Sequence, residues 1–122
     1  MLTNPEPAEL HQLFEDVSSY FALLSEPTRI KILYTLCMGE RAVGDIVEQV
    51  GSTQANVSRH LNMLYRAKVL SRRKEGTQVY YRIEDDNTMN LCRTVCTQMS
   101  ERIEQQTAFN KDVVKKFIRV NA

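Results

Sequence analysis

Near residue 69 the apolar residues of this chain change from helical to alternating spacing, and that change limits the fold more than any other feature. Val79, Tyr81 and Ile83 alternate with Tyr80 and Arg82, the period of a half-buried strand. Val69 to Arg73 offers a partner across Lys74-Glu75-Gly76-Thr77, so the spacing predicts one β-hairpin. On either side of it the period is helical. The expected class is mainly α with a small β-hairpin.

Leu10, Leu13, Phe14, Val17, Phe21 and Leu24 mark a first helix ending near Ser25-Glu26-Pro27. Pro27 suits the first turn of a second helix, because its fixed φ is already helical and its missing N–H would have no partner there. Ile30, Leu33, Leu36 and Cys37 give that helix its apolar side, and Gly39 ends it. Val43, Ile46, Val47 and Val50 form a short third helix closed by Gly51, and Thr53 can cap a fourth running to about Ala67. From Asp86 the helical pattern resumes. Met89, Cys92, Cys96, Met99 and Ile103 make one stripe, and Val113, Val114, Phe117 and Ile118 a second.

A length of 122 residues with 43% hydrophobic content suits one domain. No apolar run approaches a membrane span, and MLTNPEPAEL lacks the basic region and apolar core of a secretory signal, so the expected location is cytoplasmic. Three cysteines, Cys37, Cys92 and Cys96, are an odd number that argues against a disulfide framework. Net charge is only +1, but it is unevenly placed. Residues 1 to 26 carry Glu6, Glu9, Glu15, Asp16 and Glu26 without Lys or Arg, whereas residues 59 to 82 carry Arg59, Arg66, Lys68, Arg72, Arg73, Lys74 and Arg82 against Glu75 alone. A patch of that sign is what a polyanion requires.

Helix, helix, helix, turn, helix, hairpin, helix is the order of a winged helix-turn-helix, whose second motif helix enters the major groove of double-stranded DNA. In STQANVSRHLNML (52 to 64), Val57, Leu61 and Leu64 would hold the fourth helix to the third. Beyond the cap residue Thr53, the outward residues Gln54, Asn56, Ser58 and Arg59 suit base edges and phosphates: Gln and Asn pair bidentately with adenine, and Arg pairs with guanine. Arg72, Arg73, Lys74 and Gln78 in the hairpin suit phosphates or a minor groove.

ALLSEPTRIKIL (22 to 33), GERAVGDIVEQVG (39 to 51), STQANVSRHLNML and KVLSRRKEGTQVYYRI (68 to 83) together resemble the ArsR/SmtB family of small repressors, in register over about residues 10 to 105. The resemblance implies a homodimer joined by its first and last helices, an inverted-repeat operator, and release when an effector binds. It also brings His60, part of the family's recognition-helix motif, into the DNA-binding set. The expected organisation is one winged-helix DNA-binding domain over 1–122: 1–26 and 86–122 for dimerisation, 42–67 as the helix-turn-helix and 69–83 as the wing.

The resemblance does not carry an effector across. Where arsenic- and cadmium-sensing members have Cys-x-Cys, this chain has Ala42 and Gly44, and the zinc-site positions read Asp85, Asn87, Gln98 and Glu101. His11 reads most simply as a surface residue. Attention falls on LCRTVC (91 to 96), where Cys92 and Cys96 stand i, i+4 and could grip one soft metal or metalloid ion with a third ligand from elsewhere. Members that respond to persulfide or oxidants join cysteines whose positions fall near Tyr34 and Ser100, each about one turn from a cysteine present here, so a Cys37–Cys96 bridge is a second reading. Packing as small hydrophobes is the third. For the whole chain the leading expectation is a homodimeric DNA-binding repressor released from its operator by a thiol-reactive or soft-metal or metalloid effector, beside a protein-interaction module or a regulator with a non-cysteine effector. No Ser/His/Asp order, phosphate-binding loop or paired-carboxylate site points to an enzyme.

Overall fold

A computed structural model describes residues 7–106 and 111–118, with the side chains of 104–106 and 111–113 left out. Glu6 and the Val113 side chain therefore lie outside the described residues. In order along the chain come α1 (Ala8–Leu23), α2 (Pro27–Leu36), β1 (Arg41–Ala42), α3 (Val43–Val50), α4 (Gln54–Arg66), β2 (Leu70–Glu75), β3 (Gln78–Ile83), α5 (Asp86–Gln106) and α6 (Lys111–Ile118). This is a winged helix-turn-helix.

Local chemistry sets the helix ends. Pro27 opens α2, and the Glu26 carboxylate accepts the Arg29 N–H at 3.3 Å. Gly51, at φ 73°, closes α3 in the left-handed region, where a side chain would be strained. Two residues later Thr53 Oγ1 accepts the Asn56 N–H at 3.2 Å and starts α4. Asp85 caps α5, one carboxylate oxygen accepting from the Asn87 N–H at 3.0 Å and the other from the Thr88 hydroxyl at 3.0 Å.

The hairpin turn is tighter than its sequence suggests. Lys74 pairs with Val79 and Glu75 with Gln78, so only Gly76 and Thr77 lie between the strands rather than four residues. Gly76 at φ 62° supplies the left-handed residue that a two-residue loop needs. A third strand also joins the sheet. Arg41 and Ala42 pair antiparallel with Tyr81 and Tyr80, giving the order β1-β3-β2. Two residues are too few to show an alternating pattern.

Ile32, Leu33 and Leu36 of α2, Ile46 of α3, and Val57, Leu61 and Leu64 of α4 form the core, closed by Val69, Leu70, Tyr81 and Met89. All three α4 residues are fully buried, as the spacing of that helix implied. The α5 stripe is graded instead. Met89 and Cys92 are buried, Cys96 is half-buried, and Met99 and Ile103 are exposed. The C-terminal helical pattern divides into α5 and α6, and α6 buries Phe117 inside the chain, its ring edge-on to Tyr34 at 5.2 Å.

Leu61 is fully buried where α4 joins the core. Leu61→Ala should lower unfolding free energy by about 2–5 kcal/mol, read as a reduced urea midpoint with the slope unchanged.

Candidate nucleic-acid interface

The polar side of α4 and the hairpin face each other across an open groove of about 700 Å³. Gln54 and Ser58 of α4, Arg72, Arg73 and Lys74 of β2, and Gln78 of β3 all line it, so six of the ten expected interface residues converge there. Val43 and Gly44, at the start of α3, add to the wall, and Thr77 adds the hairpin tip.

The remaining four do not line it. Thr53 is spent on the helix cap. Asn56 donates to Ser52 Oγ at 2.9 Å and accepts from Arg59 at 2.9 Å, so Arg59 is held against the start of the helix, exposed. His60 departs from expectation: its side chain is only 3% exposed and turns inward, out of reach of a ligand in the groove. Its spacing, three residues after Val57 and four before Leu64, puts it toward the core.

The two arginines of β2 are not equivalent, because neighbours on a strand point to opposite faces. Arg72 lies over the Tyr65 ring, 3.9 Å from its centroid, and donates to the Tyr81 hydroxyl at 3.4 Å. Arg73 stacks on Tyr80 at 4.4 Å and reaches across β3 to Glu40 with a forked pair of hydrogen bonds at 3.0 and 2.8 Å, while also meeting Glu75. Arg73 holds the exposed Glu40 carboxyl below the usual range, chiefly by hydrogen bonding. Arg82 likewise meets Glu84 at 3.1 Å. Carboxylates thus offset part of the patch that the sequence counts as basic, and Glu40, outside the 59–82 window, was not visible in that count.

Behind α4 lies a residue to which the sequence reading gave no role. Arg29 is 8% exposed and donates to the carbonyls of Leu23 and Ala22 at 2.6 and 3.4 Å, at the end of α1. Its other arm lies 3.0 Å from His60 Nδ1 and 3.5 Å from Met63 Sδ, both on α4. The guanidinium can only donate, so the neutral His60 ring must keep its lone pair at Nδ1 and its proton at Nε2. Nε2 stands 3.5 Å from Glu26 Oε2 and 3.3 Å from the Arg59 guanidinium. The signal available beforehand was an arginine inside an otherwise apolar α2 pattern.

Burial of all three thiols raises their pKa; Cys96 pushes Cys92 further up, and arginines near Cys37 only partly oppose the effect. They are therefore protonated and poorly nucleophilic at neutral pH. Cys37 borders clefts beside Gly39 and Glu40 and beside Tyr34 and Lys116. Cys92 and Cys96 border a different cavity, between α1, α2 and α5. Among the described residues no group of three or more His, Cys, Asp or Glu could hold a metal ion. Asp85, at one of the zinc-site positions, is occupied in capping α5. No helix among the described residues is long and apolar enough to cross a membrane.

Residues 26–71 match the model for the "Bacterial regulatory protein, arsR family". An uncharacterized HTH-type transcriptional regulator of Methanocaldococcus jannaschii is 34% identical, over 67% of this chain and 93% of its own length. The chain belongs to the ArsR family. This ArsR-family chain is also 35% identical to the HTH-type transcriptional regulator KmtR of Mycobacterium tuberculosis, over 62% of this chain and 58% of that one. With a cadmium resistance transcriptional regulatory protein CadC homolog of Staphylococcus aureus the identity is 39%, over 62% and 64% respectively. It thus spans less than two thirds of either of these two relatives. In structure it is similar to a homodimeric winged helix-turn-helix DNA-binding domain from Mycobacterium bovis, with a TM-score of 0.73 and 27% identity, covering 88% of this chain and all of that fragment. The family is one of regulators, not enzymes.

Desolvation lowers the His60 pKa, the Arg59 and Arg29 charges lower it further, and Glu26 alone opposes them. The folded protein then binds fewer protons than the unfolded chain just below the unfolded histidine pKa of about 6.5. This contribution is complete above about pH 6.5 and is lost as pH falls toward the depressed folded value. The urea midpoint of the wild type should therefore fall more steeply between about pH 7 and 5 than that of His60→Gln; parallel curves would remove His60 as the cause.

Proposed function

We propose that this chain is a DNA-binding transcriptional repressor, acting as a homodimer on an inverted-repeat operator. The observation that carries this reading is the groove that brings Gln54 and Ser58 of α4 together with Arg72 and Lys74 of the wing. An amide beside a hydroxyl, flanked by two cations, combines groups that read base edges with groups that hold phosphates. Arg59 lies on the other flank of α4, toward a second phosphate row.

The dimer is supported by an apolar stripe left exposed among the described residues of one chain. Leu13, Phe14, Val17 and Phe21 of α1 are 43–54% exposed, and Val95, Met99 and Ile103 of α5 are 40–46% exposed. Monomeric soluble proteins rarely leave such contiguous apolar surface in water. Pairing 1–26 with the start of the 86–122 region would cover it and set two α4 helices to meet successive major grooves, about 34 Å apart. Release follows from a population shift: an effector that prefers a dimer with another α4 separation lowers operator affinity by its differential affinity for the two states.

A second reading of the effector is a thiol-reactive compound or a soft metal or metalloid ion at Cys92 and Cys96, with Cys37 in reserve. The i, i+4 spacing of Cys92 and Cys96 on α5, where both border one cavity, favours it. Their burial and protonation oppose it. Operator affinity should accordingly stay unchanged when arsenite or a disulfide-forming oxidant is added to the reduced protein. Loss of binding in the wild type, but not in a Cys37/Cys92/Cys96 triple serine variant, would make the cysteines the sensor.

For the DNA reading, fluorescence anisotropy on operator and random duplexes at several salt concentrations separates the two classes of contact. Arg72→Ala should weaken binding to both duplexes and reduce the salt slope by about 1. Gln54→Ala should cost about 1–3 kcal/mol on operator alone. Equal losses on both duplexes for Gln54→Ala would remove it from base reading.

A further inference from the structure

Between the end of α1, the start of α2 and α5 lies a cavity of about 290 Å³, lined by Phe21, Leu24, Ile30, Leu91, Cys92 and Cys96. No charged or amide side chain lines it. The thiols are neutral, since burial raises the pKa of both, so they act as polarizable apolar walls. Apolar pockets take apolar guests, and an enclosed one of roughly 150 Å³ accommodates benzene. A cavity about twice that size suits a fused two-ring or comparable hydrocarbon skeleton.

Its position ties it to the recognition helix. Phe21 and Leu24 flank Ala22 and Leu23, whose carbonyls accept the Arg29 hydrogen bonds, and Ile30 follows Arg29 in α2. The other arm of Arg29 ends on His60 of α4. A guest pressing on Phe21 and Leu24 therefore shifts the carbonyls that hold Arg29, and with them the polar link to α4. On the dimer side, Phe21 and Val95 continue the exposed apolar stripe of α1 and α5.

We infer that this cavity is a binding site for a small, neutral, apolar effector, recognised by shape and hydrophobicity rather than by metal coordination or thiol chemistry. The inference rests on the repressor reading for its consequence, and on the cavity alone for its binding. An occupant of this class gains by leaving water and needs no polar partner from the wall. An ion or carboxylate would find none.

Naphthalene is a suitable probe, with 2-naphthoate as its charged counterpart, added to the 122-residue chain at dimer-forming concentration. Amide NMR shifts should appear near Phe21, Ile30, Cys92 and Cys96 with naphthalene and not with naphthoate. They should persist in Cys92→Ala/Cys96→Ala and vanish in the cavity-filling Leu91→Trp, with Cys96→Leu as a milder filling variant should the first not fold. Operator affinity should fall by at least about fivefold with naphthalene, a coupling at the lower end of those usual between linked sites. Absence of shifts at these residues would mean that the second copy fills the cavity, and would overturn the site. Shifts without a change in operator affinity would overturn its role as an effector site. Failure to bind any upstream DNA, with the naphthalene shifts intact, would sink the repressor reading and leave the binding site standing.

Discussion

One buried guanidinium ties the end of α1 to α4, the helix that Val57, Leu61 and Leu64 seat in the core. Arg29 links two carbonyls at the end of α1 to His60 and Met63 on α4, and a buried charge is tolerated only when its donors are satisfied this fully. Most of its donors have identifiable acceptors. The arrangement also explains why His60 is turned inward although Ser58, two residues earlier, lines the groove: Arg29 requires an acceptor on α4, and a neutral imidazole lone pair supplies one without adding charge. Protonating His60 would set donor against donor at Nδ1, so the same contact that fixes the helix makes it sensitive to mild acid.

The wing uses its cations in two ways. Arg73 spans the sheet from β2 over Tyr80 to Glu40, beside β1, and so ties the short outer strand to the hairpin. Exposed pairs of this kind contribute little energy individually, but a forked guanidinium–carboxylate contact fixes direction. Arg72 is held by Tyr65 and Tyr81 rather than by a carboxylate, which leaves its charge uncompensated at the groove. Orientation by aromatic rings keeps a cation ready for phosphate without immobilising water or a competing anion. The alternation of the strand, not the count of basic residues, decides which arginine pairs with a carboxylate and which rests on Tyr65 and Tyr81.

The fold was legible because its signals were local and repeated: the helical stripes, Pro27 at a helix start, Gly51 at a helix end, Thr53 at a cap, and the switch to alternation at the hairpin. What escaped was set by pairing across the chain. The register that shortens the hairpin loop to Gly76-Thr77, and the two-residue strand Arg41–Ala42, depend on partners that no window of sequence contains. In the site, the groove residues Gln54, Ser58, Arg72, Lys74 and Gln78 were legible because outward polar residues on a helix followed by a basic hairpin imply a surface. Arg29, Glu40 and the inward turn of His60 were not, since each acquires its meaning from a residue some 30 positions away.

The attachment of α1 gives these parts a common logic. It has no fully buried residue in the single chain; its C-terminal end is seated by Leu23, packed against the core, and by polar links that include Arg29 and the Tyr20 hydroxyl 2.6 Å from Thr88 Oγ1 at the start of α5. Net hydrogen-bond contributions of about 0.5–1.5 kcal/mol each are small beside the burial of a four-residue apolar stripe, at about 1.5–3 kcal/mol per large side chain. Whatever covers Leu13, Phe14, Val17 and Phe21 therefore has more influence on where α1 sits than the rest of its own chain has. Because Arg29 passes the position of the α1 terminus to α4, a change in how that stripe is covered reaches the groove through a polar contact between helices that share little packing. A loosely packed α1 with a charged tether to α4 is thus well placed to couple what happens at the terminal helices to the groove between α4 and the hairpin.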